Sequence, residues 1–186
     1  MKWKYLRHIQ GREKMVGTTI PYQIVIFTNQ HSITGEIFLH DQRLSDFLND
    51  RRAKKIVLRN ASVARLDSPG KVLEKNLECI LPKSGIVLVF EPPQKVNFPP
   101  RFMKYPKEKY HVFLILDGME VRGTLHMQGA LDLARIMADS DDSFLPITQA
   151  TVAFEANPNF LLQQEAVVVN TQRIRFIGEV APKTPT

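Results

Sequence analysis

The stretch Tyr22-Gln-Ile-Val-Ile-Phe27 recurs as Tyr110-His-Val-Phe-Leu-Ile115, 88 positions later. Both stretches are apolar runs with the length and composition of β-strands. A second apolar run follows in each copy and is interrupted by a glycine, Gly35 or Gly123. Turn-type residues separate the two runs, so each copy is predicted to open with a hairpin. A glycine within a strand often marks a bulge, so we expect the second strand to bend there.

A helical pattern follows each hairpin. Residues 43–50 place Leu44, Phe47 and Leu48 at positions i, i+3 and i+4, which gives one apolar face. Residues 132–139 repeat this spacing 89 positions later. We therefore predict one short helix in each copy.

Each copy continues with three more apolar runs. Residues 56–64 and 145–153 are predicted to form a third strand. Two further runs within residues 77–90, and again within 165–177, are predicted to form a closing hairpin. One insertion and one compensating deletion, both in predicted loops, favour duplication over a chance likeness between two β-meanders.

The sequence thus predicts a mainly β fold with short helices, built from two duplicated units in tandem. The predicted segments are a basic N-terminal arm (1–21), β-barrel unit 1 (22–91), a proline-rich basic connector (92–109), β-barrel unit 2 (110–179) and a tail (180–186). Two units of about 70 residues can each hold a modest core. The proline content predicts an extended, fairly stiff connector.

Composition places the chain among ordinary globular proteins. It has 186 residues, of which 44% are hydrophobic and 24% are charged. The single cysteine, Cys79, lies in an apolar run and is predicted to be a small core residue rather than a nucleophile. We find neither a membrane span nor a secretory signal, which predicts a cytoplasmic location.

The net charge of +6 is unevenly distributed. The arm and the connector each carry a net charge of +4, unit 1 carries +2 and unit 2 carries −5. Opposite charges on the two units permit contacts between them, within one chain or between chains. The loop 139–142 holds three carboxylates, but it lacks the spacing of a calcium loop and is predicted to be an exposed acidic loop.

The basic residues of the arm, of the loop 51–55 and of the connector are candidate nucleic-acid contacts. Basic side chains interleaved with aromatic rings suit phosphate binding and base stacking. The candidates are Lys2, Lys4, Arg7, Arg51, Arg52, Lys54, Lys55, Arg101 and Lys104. The alternatives are an arm that docks on its own domain or on an anionic membrane surface, and a loop that is simply solvated.

No catalytic, cofactor-binding or metal-binding residues are predicted. The five histidines share no metal-ligand spacing between the copies, and phosphate loops and hydrolase nucleophile elbows are absent from the sequence. The pair His40-Asp41 is not a catalytic arrangement by itself.

The units resemble Sm-like proteins, the small SH3-like β-barrels of the Sm and LSm RNA-associated proteins. The resemblance rests on the hairpins ending at Gly35 and Gly123, the strands ending Asn60-Ala61 and Gln149-Ala150, and the closing runs Ile86-Val-Leu-Val and Ile174-Arg-Phe-Ile. The motif Arg43-Leu-Ser-Asp-Phe-Leu-Asn49 also resembles one in uncharacterised bacterial domains. These resemblances imply two tandem small barrels.

The Sm-type uridine pocket is not implied. In that family an Asp…Asn pair directly precedes the third strand, whereas Arg51 to Lys55 follow Asp46 and Asn49 here. Unit 2 has no Asn at the matching place. The sequence therefore predicts a non-catalytic scaffold or regulatory module that acts through protein contacts or self-association. The alternative is an RNA- or DNA-binding protein that uses the basic residues above, and an enzyme with a site between the units is a third hypothesis.

Overall fold

A computed structural model describes residues 21–39, 42–93, 106–138 and 144–181. The described strands are β1 Tyr22–Phe27, β2 His31–Ile37, β3 Lys55–Arg65, β4 Ser68–Pro82, β5 Leu88–Phe90, β6 Glu108–Leu116, β7 Met119–Met127, β8 Phe144–Phe154, β9 Asn157–Asn170 and β10 Ile174–Glu179. The helices are α1 Leu44–Asn49 and α2 Leu133–Met137, and two 3-10 turns span Lys83–Gly85 and Thr171–Arg173. The prediction of a mainly β fold with short helices is confirmed. No helix in the described ranges has the length and apolar character needed to span a membrane.

The ten strands form one antiparallel sheet in the order β10-β6-β7-β8-β9-β5-β1-β2-β3-β4. The sheet is open, so the predicted closure of each unit into a separate barrel is not confirmed. We call residues 21–93 the first half and residues 106–181 the second half. The order β5-β1-β2-β3-β4 in the first half recurs as β10-β6-β7-β8-β9 in the second.

Strand registers also recur between the halves. Tyr22 lies opposite Ile37, and Tyr110 lies opposite Leu125, so both partners are displaced by 88 positions. A carboxylate bonds the backbone at each helix start, but from different positions. Asp46, inside α1, accepts from the N–H of Arg43, the residue before the helix, whereas Asp132 precedes α2 and accepts from the N–H of Arg135. Local structure therefore follows the repeated sequence pattern.

The predicted bends at the two glycines are confirmed. The β2–β3 register shifts at Gly35, and the β7–β8 register shifts at Gly123. Opposite these glycines, Asn60 and Gln149 have positive φ angles of 48° and 49°. A Cβ atom at Gly123 would lie 2.5 Å from the Ile147 side chain, so only glycine lets the strands approach this closely.

The predicted closing hairpin of each copy is wrong. β4 pairs with β3, whereas β5 pairs with β1 on one side and with β9 on the other. In the second half, β9 pairs with β8 and with β5, and β10 pairs with β6. The 3-10 turn after β4 or β9 carries the chain to a different neighbour instead of folding it back.

Two clusters of buried side chains form the core, and each includes residues from both halves. The cluster of the first half contains Phe144 and Val168 of the second half. The cluster of the second half contains Phe27, Leu88 and Phe90 of the first half. The two halves therefore share their interior and are not independent globules.

Candidate interaction site at the joint and the open edges

Strands β5 and β9 join the two halves through three residue pairs. Leu88 lies opposite Val169, Val89 opposite Val168, and Phe90 opposite Val167. The side chains of these six residues are buried, with at most 7% of any residue exposed. Because β5 is apolar on both faces, it contributes to both cores, as expected of a central strand. We call this contact, together with the polar groups described next, the joint.

Asn49 fixes the joint at the end of α1. Its Nδ2 donates to the Phe144 carbonyl at 2.9 Å, and its Oδ1 accepts from the Phe144 backbone N–H at 2.9 Å. The side-chain amide thus mimics a neighbouring strand for the first residue of β8. Asn49 is also the residue compared above with the Asn of the Sm-type Asp…Asn pair. Its side-chain amide bonds the backbone of Phe144.

Asn170, at the end of β9, is the buried polar centre of the joint. Only 2% of the residue is exposed. Its Nδ2 donates to the carbonyls of Ile86 at 2.9 Å and of Lys83 at 3.3 Å, and its backbone N–H donates to the Val87 carbonyl at 2.9 Å. These bonds hold the turn before β5 against the second half.

Lys83 joins the same turn to the C-terminal end of α1. Its Nζ donates to the backbone carbonyls of Asp50 at 2.9 Å and of Phe47 at 3.1 Å, and it lies 5.8 Å from the centre of the Phe47 ring. Cations near a helix C-terminus are favourable because the last carbonyls lack partners. Burial lowers the pKa of the Lys83 ammonium, and the Asp50 carboxylate opposes this shift.

An arginine pair ties the second 3-10 turn to the rest of the joint. Arg173 Nη1 lies 3.2 Å from Asp117 Oδ2, and Arg175 Nε lies 2.7 Å from Asp117 Oδ1. Arg173 also donates to the Ser84 carbonyl of the first half. One carboxylate therefore orients the guanidinium that reaches across the joint.

Among the described strands, β4 and β10 are the two edges of the sheet, since each pairs with one described neighbour. They carry large apolar side chains that solvent reaches: Leu77 is 87% exposed, Ile80 62% and Phe176 49%. An open edge leaves backbone N–H and C=O groups available to a further strand. The exposed apolar side chains would supply the packing that such a strand needs.

The face beside β10 adds an aromatic and cationic cluster. The rings of Phe176 and Phe113 lie 6.1 Å apart, and the Arg122 guanidinium lies 4.1 Å from the centre of the Phe113 ring. Aromatic residues and arginine are enriched in protein contact surfaces, and a guanidinium group over a ring adds a cation–π attraction.

The candidate nucleic-acid residues fall into two groups. Arg51, Arg52 and Lys54 lie exposed between α1 and β3, and Lys55 is the exposed first residue of β3. Arg52 is bonded to Asp50 at 3.0 Å. That bond lowers the pKa of the Asp50 carboxyl. The others, Lys2, Lys4, Arg7, Arg101 and Lys104, lie outside the described residues, as does the acidic loop 139–142. The structure therefore brings four of the nine together.

A cleft of about 1030 Å³ opens between the halves, lined on one side by Tyr22, Leu44 and Glu91 and on the other by Gln149 and Gln164. The Tyr22 hydroxyl donates to the Glu91 carboxylate. Within the described ranges, no group of three or more His, Cys, Asp and Glu side chains could hold a metal ion. The cleft offers amide and hydroxyl groups for hydrogen bonding.

Apart from Asn49, which the motif Arg43 to Asn49 includes, the polar residues that build the joint were not found from the sequence. Asn170 ends the run Ala-Val-Val-Val, and a single amide closing an apolar strand is the one signal that could have indicated a buried polar contact. Lys83 and Phe144 carry no comparable signal, because their partners are backbone atoms distant in the chain.

Comparisons of the chain with protein-family models, with curated proteins and with solved structures return no match.

Proposed function

We propose that the chain is a non-catalytic scaffold or regulatory module that binds protein by adding strands at the open edges β4 and β10. The joint is the observation that supports this function. There, an edge of one half already binds an edge of the other through three apolar pairs. The two outer edges carry exposed Ile80 and Phe176, so they are suited to the same kind of contact.

We also propose that each half is an Sm-like unit. The order in which the fifth strand lies beside the first, followed by the second, third and fourth, occurs in both halves and supports the proposal. The glycine-marked bends of β2 and β7 and the short turn before the last strand of each half support it too. A cytoplasmic location remains a prediction from the sequence.

An edge variant tests the protein-binding function. The substitutions Ile80→Lys and Phe176→Lys place a charge on each edge, where it should oppose strand addition. The full chain and this double variant would be tagged in the native cell, cross-linked and recovered. We expect the unaltered chain to retain a protein, its own copies or another, in a fixed ratio that the variant loses.

A variant that keeps every partner would overturn the function, and so would an unaltered chain that retains none. The substitutions Met137→Lys in α2 and Leu161→Lys in β9, at exposed apolar residues outside β4 and β10, provide the matched control. Thermal unfolding of both variants would show that the fold is intact.

The exposed basic loop Arg51 to Lys55 favours a second candidate function, nucleic-acid binding. Four cations within five positions can neutralise phosphates on one strand of RNA or DNA. Its test is the salt series described in the Discussion.

A further inference from the structure

We infer that the partner at the open edges is a second copy of this chain, with β10 of one copy paired antiparallel to β4 of the next. This inference rests on the proposed function and names its partner. It follows from the joint, which shows how a first-half edge and a second-half edge fit together.

The two edges occupy the places of the two joint strands. β10 lies beside β6 as β5 lies beside β1: Gly178 is opposite Phe113, and Phe90 is opposite Val25, with both partners displaced by 88 positions. β4 lies beside β3 as β9 lies beside β8. The described sheet therefore ends in one strand of each type that the joint combines.

The register of the joint fixes the register between copies. Each β5 residue corresponds to the β10 residue 88 positions later, and each β9 residue corresponds to the β4 residue 88 positions earlier. Applied to the three pairs of the joint, this correspondence gives three pairs between copies. These pairs are Phe176 with Leu81, Ile177 with Ile80, and Gly178 with Cys79. Five of these six residues have apolar side chains, and the sixth is a glycine.

Exposure supports these pairs. Ile80 is 62% exposed, whereas its counterpart Val168 in the joint is 6% exposed. Phe176 is 49% exposed, whereas its counterpart Leu88 is fully buried. Corresponding apolar positions are thus covered at the joint and exposed at the two edges of the sheet. Removing apolar side chains of this size from water is the main favourable term of such a contact.

Charge supports contact between unlike halves. The sequence of the first half is net positive and that of the second half is net negative, so unlike halves of two copies attract at long range. Strands β4 and β10 each carry equal numbers of basic and acidic side chains, so this attraction orients the copies and does not act at the edges themselves. Beyond the three pairs, Glu179 would lie opposite Glu78. The ladder therefore ends at Gly178, and it is as short as the one in the joint.

The contact between copies is weaker than the joint because its polar groups are missing. The position that corresponds to Asn49 is Ala138, and the position that corresponds to Asn170 is Pro82. Pro82 has no backbone N–H to donate, and neither residue has a side-chain amide. Association is therefore reversible and depends on concentration. Because the contact joins unlike surfaces, repeated addition closes a ring or extends a filament.

Cross-linking of the purified full chain tests the inference. The substitution Gly178→Cys places a thiol beside the natural Cys79 of the next copy. Mild oxidation should then give a ladder of covalent dimers, trimers and higher forms, separated under non-reducing conditions. The same substitution combined with Cys79→Ser should abolish the ladder. A Cβ atom at residue 178 would lie 3.0 Å from the Phe176 ring, so Gly178→Cys crowds a side chain of the contact. The pair Ile80→Cys and Ile177→Cys, in a Cys79→Ser background, tests the neighbouring residue pair without this crowding.

A second measurement uses the opposed carboxylates. Glu179→Lys replaces a repulsive pair with an attractive one, so the concentration at half-association, measured by light scattering, should fall about twofold to tenfold. Unaltered protein that forms only disulfide dimers through Cys79 would indicate a two-fold contact between β4 strands and overturn the inference. Purified protein that stays monomeric would also overturn the inference. If the edge variant still loses a protein partner in cells, the proposed function stands without self-association.

Discussion

Asn49 and Phe144 lie 95 positions apart and exchange two hydrogen bonds, each 2.9 Å long. No strand of the first half pairs with β8 in the sheet, so the side-chain amide of Asn49 takes the place of a strand there. The contact joins the end of α1 to the start of β8 and places Phe144 in the first-half core. The joint is thus specified by a side chain as well as by strand pairing.

Asn49→Ala should lower the free energy of unfolding by about 1–3 kcal/mol, because the partly buried N–H and C=O of Phe144 lose their partner. Chemical denaturation of the full chain measures this change. Asn159→Ala, at an exposed asparagine of β9, provides the matched control and should change stability by less than about 0.5 kcal/mol. Equal losses for the two variants would contradict a joint role for Asn49.

The two bend glycines should differ in their tolerance of a methyl group. At Gly123 a Cβ atom would lie 2.5 Å from the Ile147 side chain and 2.8 Å from the Thr148 carbonyl oxygen. At Gly35 the nearest atoms are 3.3 Å away. Gly123→Ala should therefore cost about 1–3 kcal/mol through overpacking. Gly35→Ala should stay within about 1 kcal/mol, because alanine also loses less backbone entropy on folding. Denaturation midpoints of the two variants would check this order.

The sequence predicted local structure well because local structure depends on neighbouring residues. The alternation that starts at Tyr22 and the interruption at Gly35 set a strand and its bend without reference to the rest of the chain. Pairing across the joint depends on two strand edges, β5 and β9, that are distant in the sequence, and no local pattern encodes it. The run 86–90 was predicted to fold back on 77–81 because the two are adjacent in sequence. Burial of β5 on both faces shows why it pairs with β1 and β9 instead.

The ammonium of Lys83 should make stability depend on alkaline pH. Burial lowers its pKa below the ordinary 10.5, so between the folded and unfolded pKa values the unfolded chain binds more protons. The free energy of unfolding that Lys83 contributes should therefore rise as the pH increases towards 10.5. Lys83→Met should lose this dependence and should lower stability at pH 7 by about 1–3 kcal/mol, since two carbonyls lose their donor. Denaturation of both proteins from pH 7 to 10.5 checks the sign.

Nucleic-acid binding through the basic loop should be strongly salt-dependent. Mixed-sequence RNA and DNA oligonucleotides, titrated by fluorescence anisotropy from about 50 to 200 mM salt, should show a loss of affinity that steepens with the number of phosphates contacted. Reversing the charge of Arg51, Arg52, Lys54 and Lys55 should abolish binding if this loop carries it. Reversal at Lys71 and Lys75, exposed bases of β4, is the matched control and should leave the salt slope unchanged. Absence of binding at 50 mM salt would remove this candidate function and leave the edge-mediated scaffold as the function to pursue.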